Sequence, residues 1–267
     1  MEIFKKTGRG AVFCMLFAAC AGMDSAPSAA GGREWKNVNS ESVISLYPGR
    51  EGEGPEMRLT YRLLDLPGSG KEARTLRQIL YDGGTPEAYR DKSGEALRNE
   101  YFGMRETAEP GAANESLNWF YTETAECSAE SPRYAVIRRT RDSYLGGAHG
   151  MRKTAYFLIG RGRTGRIPLD RIIKEGAGPA LLRLIEEGIR RHFDIAEGRP
   201  LTDVLFDQEL ELPDNFFPGP EGLGFHWDPY EIAPYSTGPV ELFIPWDRCA
   251  GLLSGEGLRI AADFGFY

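Results

Sequence analysis

The sequence predicts an α+β fold in which mixed antiparallel sheets pack against a few helices. Three observations support this class. Short apolar runs typical of strands recur along most of the chain. One clearly amphipathic helix is predicted over 179–194. Strands and helices follow one another without the regular alternation that a doubly wound parallel sheet requires. The 267 residues are 41% hydrophobic, which is enough to form a sizeable core.

The first half of the chain mixes both kinds of element. Apolar residues suited to strands occur over 43–47 and 57–64. Ser69 can cap a short helix that ends at Gly83-Gly84. A second helix is predicted to start at 85–87, where a capping Thr, a Pro at the first helical position and an acidic residue follow one another.

The second half carries the amphipathic helix and further strands. The apolar segment 155–159 is expected to pair with 134–140 across a glycine-rich connection. We therefore divide the chain into an N-terminal α/β region, 35–140, and a C-terminal domain, 141–267. The remaining predicted strands are 117–124, 223–227, 240–244 and 258–262.

Net charge bounds the choice of partner. Asp and Glu outnumber Lys and Arg by 39 to 32, a formal net charge of −7. Such a surface repels the phosphates of nucleic acids, so no nucleic-acid partner is predicted. The same charge complements a cationic partner.

Residues 1–20 are predicted to be a signal peptide. Lys5, Lys6 and Arg9 form a positive region, and the apolar run over 11–19 follows it. Nine apolar residues are too few for a transmembrane helix. No later stretch is apolar for long enough to cross a membrane, so only a lipid anchor is expected to attach the chain to one.

The end of this segment, 16–20, resembles a bacterial lipobox, with Cys20 as the lipidated residue. Residues 21–34 are mostly small or polar and are expected to form a flexible tether. Loss of residues 1–19 would lower the net charge to −9. The predicted location is therefore a bacterial cell-envelope membrane; ordinary cleavage nearby would instead give a soluble periplasmic or secreted protein.

Two further cysteines, Cys127 and Cys249, remain after the signal peptide and lipid site. In an oxidising compartment they could form a disulfide, and the alternative is that each is simply buried. Two thiols cannot form a four-thiolate zinc site. Neither a metal nor any other cofactor is predicted.

The segment 144–150, Tyr-Leu-Gly-Gly-Ala-His-Gly, is the first distinctive motif. Gly146 and Gly147 indicate a sharply bent backbone that allows close approach of another segment. Its histidine, His149, could be a ligand or a base. The alternative is a turn histidine that donates to a backbone carbonyl. Tyr144 opens the motif.

A second motif covers 222–235 and is rich in aromatic residues. Two prolines in it exclude a helix and favour a bent, extended path. Trp227, Tyr230 and Tyr235 either pack in the core or are displayed as anchors of a binding surface.

Four side chains in these motifs could in principle act together in a wall-acting hydrolase. They are His149, His226, Asp228 and Glu231. Their spacing matches no familiar metal-binding pattern, and the chain contains no nucleophile elbow or phosphate loop. The Gly-rich segment 160–165 spells a dinucleotide fingerprint, but no helix pattern follows it, which favours a hairpin turn. The sequence thus favours a protein that is not an enzyme.

The two motifs together resemble the extracytoplasmic domain of RsiV-type anti-sigma factors, which bind lysozyme. The same module is found beside the catalytic domain of PdaC-type peptidoglycan deacetylases. The likeness lies in 144–150, in the Gly165 turn and in 222–238, and it marks 141–267 as an RsiV-like domain. Neither a cytoplasmic anti-sigma segment nor a deacetylase domain is recognised, so those activities are not expected here.

The resemblance implies a cell-envelope lipoprotein that acts as a non-catalytic recognition module for a lysozyme-like protein or for peptidoglycan. The candidate recognition residues are Tyr144, Gly146, Gly147, His149, His226, Trp227, Tyr230, Glu231 and Tyr235. The alternatives are the hydrolase described above and a purely structural lipoprotein in which both motifs serve packing.

Overall fold

Helices and strands are combined as the α+β prediction requires. The computed structural model describes residues 33–45, 56–107 and 119–266, with only the backbone described over 101–107. The strands are β1 (Lys36–Ser45), β2 (Glu56–Asp65), β3 (Trp119–Glu130), β4 (Tyr134–Tyr144), β5 (Met151–Gly160), β6 (Phe216–Gly219), β7 (Gly222–Trp227) and β8 (Val240–Ile244). The helices are α1 (Lys71–Tyr81), α2 (Pro86–Thr107), α3 (Leu169–Ile172), α4 (Gly178–His192), α5 (Trp246–Cys249) and α6 (Gly255–Phe264).

The larger sheet has five strands in the order β1-β2-β3-β4-β5. Neighbouring strands are antiparallel except β2 and β3, which run parallel. A parallel pair needs a crossover connection, and α1 and α2 lie in the chain between these two strands. The predicted pairing of 134–140 with 155–159 is confirmed as the β4–β5 ladder. The boundary predicted after residue 140, between the N-terminal region and the C-terminal domain, lies inside β4.

Alternation along β4 and β5 directs side chains into two separate cores. Val136 and Leu158 belong to a cluster formed with α4, α6 and the smaller sheet. Ile137 and Ile159 belong to a second cluster, formed with β2, β3 and α1. The large sheet therefore separates the two cores.

The smaller sheet is antiparallel, in the order β6-β7-β8. Helix α4 packs against it, and a Cβ at Gly188 would lie 3.4 Å from Leu242 Cδ1. The predicted inward residues Leu181, Ile185 and Ile189 of α4 are fully buried. A 3.6-residue period in the sequence thus places an apolar face on the sheet.

The structure confirms the predicted start of one helix and contradicts one predicted strand. The start of α2 is confirmed, because the Ala88 amide donates to Thr85 Oγ1 at 3.2 Å. The strand predicted over 258–262 is wrong, since these residues lie in α6. Ser254 caps that helix by accepting from the Gly257 amide at 3.0 Å, which favours helix over strand.

The last residues of the predicted tether already belong to the folded part of the chain. The guanidinium of Arg33 is buried and pairs with Glu72 at 2.8 Å and with Glu130 at 2.9 Å. The prediction that the tether extends to residue 34 is therefore corrected. The predicted signal peptide, residues 1–20, and its candidate lipidation site Cys20 lie outside the described residues.

The disulfide that the sequence left open is not formed, because Cys127 and Cys249 are both free thiols. Cys249 is buried in the cluster around α4, whereas Cys127 packs against the other core. Burial is the main reason why the thiol pKa rises to about 12 for Cys127 and to about 11 for Cys249. In the described part of the chain, every helix is too short or too polar to span a membrane.

Candidate functional site

The glycine bend, residues 144–150, connects β4 to β5. Gly146 and Gly147 have φ angles of +90° and +97°, values that other residues rarely adopt. A Cβ at Gly146 would lie only 2.9 Å from Trp119 Cζ2. The hydroxyl of Tyr144 donates to the Gly147 carbonyl at 3.0 Å. The close approach expected from the sequence is therefore present.

The aromatic ribbon, residues 222–235, begins as β7 and then leaves the sheet. Trp227 is buried, whereas Tyr230 is 50% exposed. Tyr230 also has a φ of +72°, in the left-handed region. For a residue with a Cβ this conformation costs about 1–2 kcal/mol. Such strain persists where the surroundings hold the residue, and it is often found at binding sites.

Bend and ribbon meet in a three-ring cluster of His149, Tyr230 and Tyr235. His149 stacks on Tyr235 with 3.6 Å between ring centroids and 15° between ring planes. His149 Nε2 lies 3.1 Å from the Tyr230 hydroxyl. The structure thus brings together three residues that the sequence proposed for recognition from two distant motifs.

Hydrogen bonds fix the orientation of these rings. His149 Nδ1 donates to the Gly150 carbonyl at 2.9 Å, as the turn-histidine alternative expected. The same carbonyl accepts from the Tyr235 hydroxyl at 2.8 Å. With Nδ1 protonated in the neutral ring, Nε2 accepts from Tyr230. Each ring is therefore held by a polar contact as well as by packing.

His226 has different partners. It is buried, with Nε2 3.2 Å from Asp228 Oδ1 and Nδ1 3.1 Å from Glu241 Oε2. Burial alone would lower its pKa, but the hydrogen bonds to the two carboxylates outweigh that effect and raise the pKa to about 9. The Thr154 amide also donates to Asp228 Oδ1, at 2.8 Å. His226 and Asp228 therefore connect β7 to β5.

The four residues of the hydrolase alternative are divided between these two arrangements. His226 and Asp228 share a hydrogen bond, and Glu231 Oε2 accepts from the Asp228 amide at 2.8 Å. His149 instead contacts the two tyrosines. Among the residues that the structure describes, no three His, Cys, Asp or Glu side chains are placed to hold a metal ion.

An acidic groove lies beside the ribbon, with a volume of about 440 Å³. His226, Trp227, Glu231 and Ile232 line one part of it, and Leu205, Asp207 and residues 209–215 line the rest. The Phe206 amide donates to the Ile232 carbonyl at 2.9 Å and joins the two segments. The lining carboxylates are Asp207, Glu209, Glu211, Asp214 and Glu231.

Sequence reasoning missed two parts of this region. Glu241 could have been found, because the predicted strands 223–227 and 240–244 place it opposite His226 if they pair as a hairpin. In the segment 205–215 apolar residues do not recur at the spacing of a helix or a strand, which is typical of a loop. Its position beside Ile232 depends on tertiary contacts that no local pattern indicates.

The fold and this region are similar to proteins of one family. Residues 170–247 match the family model described as "Protein of unknown function (DUF3298)". That range contains the aromatic ribbon and the acidic groove but not the glycine bend. No curated protein is significantly similar to the chain.

Two solved structures share the architecture. A crystal structure of a DUF3298 family member from Bacteroides fragilis matches with a TM-score of 0.71 and 20% identity, covering 88% of this chain and 98% of that one. A DUF3298 family protein from Pseudomonas aeruginosa matches with a TM-score of 0.61 and 18% identity, covering 84% and 95% respectively. At these identities the likeness establishes the fold alone.

Proposed function

We propose that this chain is an exported cell-envelope lipoprotein whose folded body binds a partner without catalysing a reaction. The partner that we propose is a basic, lysozyme-like protein, and peptidoglycan is the second candidate. Membrane attachment would be through a lipid on Cys20 alone. The observation that carries the proposal is the three-ring cluster of His149, Tyr230 and Tyr235.

The cluster has the properties of a preorganised recognition surface. Aromatic rings offer a large contact area while losing little conformational entropy on binding. Here the rings of His149 and Tyr235 are stacked and hydrogen bonded before any partner arrives. Tyr230 stays half exposed despite its strained backbone. A strained, exposed aromatic residue does little for the stability of the fold, which favours a role in binding.

Charge supports a basic partner. The formal net charge is −7 for the whole chain and would be −9 after loss of residues 1–19. The acidic groove places five carboxylates beside the ribbon that carries Tyr230 and Tyr235. Lysozymes are commonly basic, so this distribution would speed encounter with them at low salt.

The hydrolase alternative receives less support from the geometry. It needs His149, His226, Asp228 and Glu231 in one reactive site. His149 is instead engaged with Tyr230 and Tyr235, and both ring nitrogens of His226 are occupied by carboxylates. A purely structural role is the remaining alternative, and it predicts no ligand for the exposed rings.

The test is calorimetric titration with a c-type lysozyme, together with co-sedimentation with purified peptidoglycan. The variant Tyr230→Ala removes the exposed ring, and Phe120→Ala removes a comparably exposed aromatic side chain on β3 as the matched control. We expect saturable binding by the wild type and the control, weakened about tenfold or more in Tyr230→Ala. Lack of binding to both ligands would leave only the structural role, and wall hydrolysis by the wild type would favour the enzyme.

A further inference from the structure

The acidic groove combines an apolar lining with an acidic rim. Leu205, Leu210, Leu212 and Ile232 provide apolar side chains to its lining. Leu205 is buried and the other three are half buried. Such a surface can accept an apolar side chain without large rearrangement. The adjacent Phe206 is 48% exposed and adds apolar surface to this part of the chain.

Three rim carboxylates are not neutralised within the described part of the protein. Asp207, Glu209 and Glu211 are exposed, and their side chains have no hydrogen bond or ion pair to any residue that the structure describes. Asp214 Oδ2 forms a long ion pair with Arg166 Nη2, at 3.7 Å. Among the residues that the structure describes, no Lys or Arg side chain lines the groove itself.

The histidine in the lining does not cancel this charge. His226 is hydrogen bonded to Asp228 and Glu241, two carboxylates that do not line the groove. Its charge is therefore balanced locally, and the rim remains negative. A ligand that fills the groove must bring positive charge, while the apolar lining favours a ligand that also brings hydrocarbon.

We propose that the acidic groove is the docking site for a basic loop of a partner protein, one that presents a Lys or Arg side chain next to an apolar side chain. This inference rests on the proposed function and adds the surface that receives the partner and the chemistry of its contact. The carboxylates of the rim attract the basic side chain by charge complementarity. The apolar side chains of the lining, most of them leucines, favour its apolar neighbour. The three-ring cluster then contacts a separate part of the same partner.

The test compares two full-chain variants with equal net charge. The groove variant is Asp207→Asn/Glu209→Gln/Glu211→Gln. The control is Glu95→Gln/Glu100→Gln/Glu175→Gln, which removes three exposed carboxylates that line no part of the groove. The wild type and both variants are titrated with a c-type lysozyme and with a synthetic peptide of alternating lysine and leucine. Hydrogen exchange of 205–215 is followed during both titrations.

We expect the groove variant to bind both probes about tenfold more weakly than the control, with less salt dependence. We also expect amide protection over 205–215 in the wild type when either probe binds. Equal affinities of the two variants, or protection elsewhere only, would overturn the groove proposal while leaving lysozyme binding intact. If lysozyme does not bind but the peptide protects 205–215, the proposed partner fails and the groove stands. Failure of both probes to bind overturns the groove proposal.

Discussion

The imidazole of His149 lies flat on the ring of Tyr235, with their centroids 3.6 Å apart, although the two residues belong to distant segments of the chain. One carbonyl, that of Gly150, accepts hydrogen bonds from both side chains. This contact fixes the glycine bend against the aromatic ribbon. We therefore expect the glycine bend and the aromatic ribbon to stabilise each other.

The coupling between these rings can be measured by a double-mutant cycle. His149→Ala and Tyr235→Ala should show a coupling energy of about 0.5–1.5 kcal/mol in the free energy of unfolding, because the stacked pair is lost in either variant. Denaturant unfolding provides the four values. His192→Ala, on the exposed end of α4, should show no coupling to Tyr235→Ala. Coupling of equal size in both cycles would contradict a direct contact.

Tyr230 separates stability from binding. Tyr230→Gly removes the ring and also the backbone strain at φ +72°, whereas Tyr230→Ala removes the ring and keeps the strain. The glycine variant should therefore be the more stable of the two by about 1 kcal/mol in chemical denaturation. Both should lose partner affinity to a similar extent. A glycine variant that is less stable than the alanine variant would mean that Tyr230 is not strained.

Stability should fall as pH rises above neutrality, because His226 holds its proton in the folded state. Its pKa is raised to about 9 in the folded protein, against about 6.5 in an unfolded chain. The contribution of His226 to the free energy of unfolding is fully present below about pH 6.5. It is lost as the pH rises through about 9, with a slope of at most about 1.4 kcal/mol per pH unit.

Denaturant unfolding of the wild type and of His226→Gln between pH 6 and 10 measures this effect. The variant should have a flatter pH profile and lower stability at pH 6, since Asp228 and Glu241 lose their shared partner. Parallel profiles for the two proteins would show that His226 does not titrate in this window.

Sequence reasoning succeeded where a local period directs side chains to one face. Helix α4 and strand β8 were predicted from such patterns, within a residue or two of their ends. The bend and the ribbon were recognisable because glycine and proline restrict the backbone directly. The α6 error arose because apolar residues over 258–262 suit either structure, and only the Ser254 cap distinguishes them.

The features of the fold and the site that the sequence did not predict depend on contacts between residues that are distant in the chain. Nothing near Arg33 in the sequence indicates that Glu72 and Glu130 will surround it. In the same way, the acidic groove arises because 205–215 lies against the ribbon. Patterns of hydrophobicity locate elements, but they carry little information on which elements meet.

Arg33 tests where the folded body begins. Arg33→Met should lower the free energy of unfolding by about 3 kcal/mol, because it leaves Glu72 and Glu130 partly buried without their cation. Arg62→Met, at an exposed position on β2, should change it by less than about 0.5 kcal/mol. Similar small effects in both variants would mean that Arg33 belongs to the tether after all.

The cysteines should react as free but protected thiols. Cys127 and Cys249 have raised thiol pKa values, so alkylation of the native protein at pH 8 should be slow at both. Unfolding without a reductant should expose both to rapid alkylation. Peptide mass mapping identifies the modified positions. A disulfide-linked peptide containing both cysteines would contradict the structure.

Binding of a partner by the displayed rings is measured by calorimetric titration of the wild type and of Tyr230→Ala with a c-type lysozyme. We expect saturable binding by the wild type, weakened about tenfold or more when the ring of Tyr230 is removed. Equal binding by the two proteins would contradict the assignment of the three-ring cluster as the recognition surface.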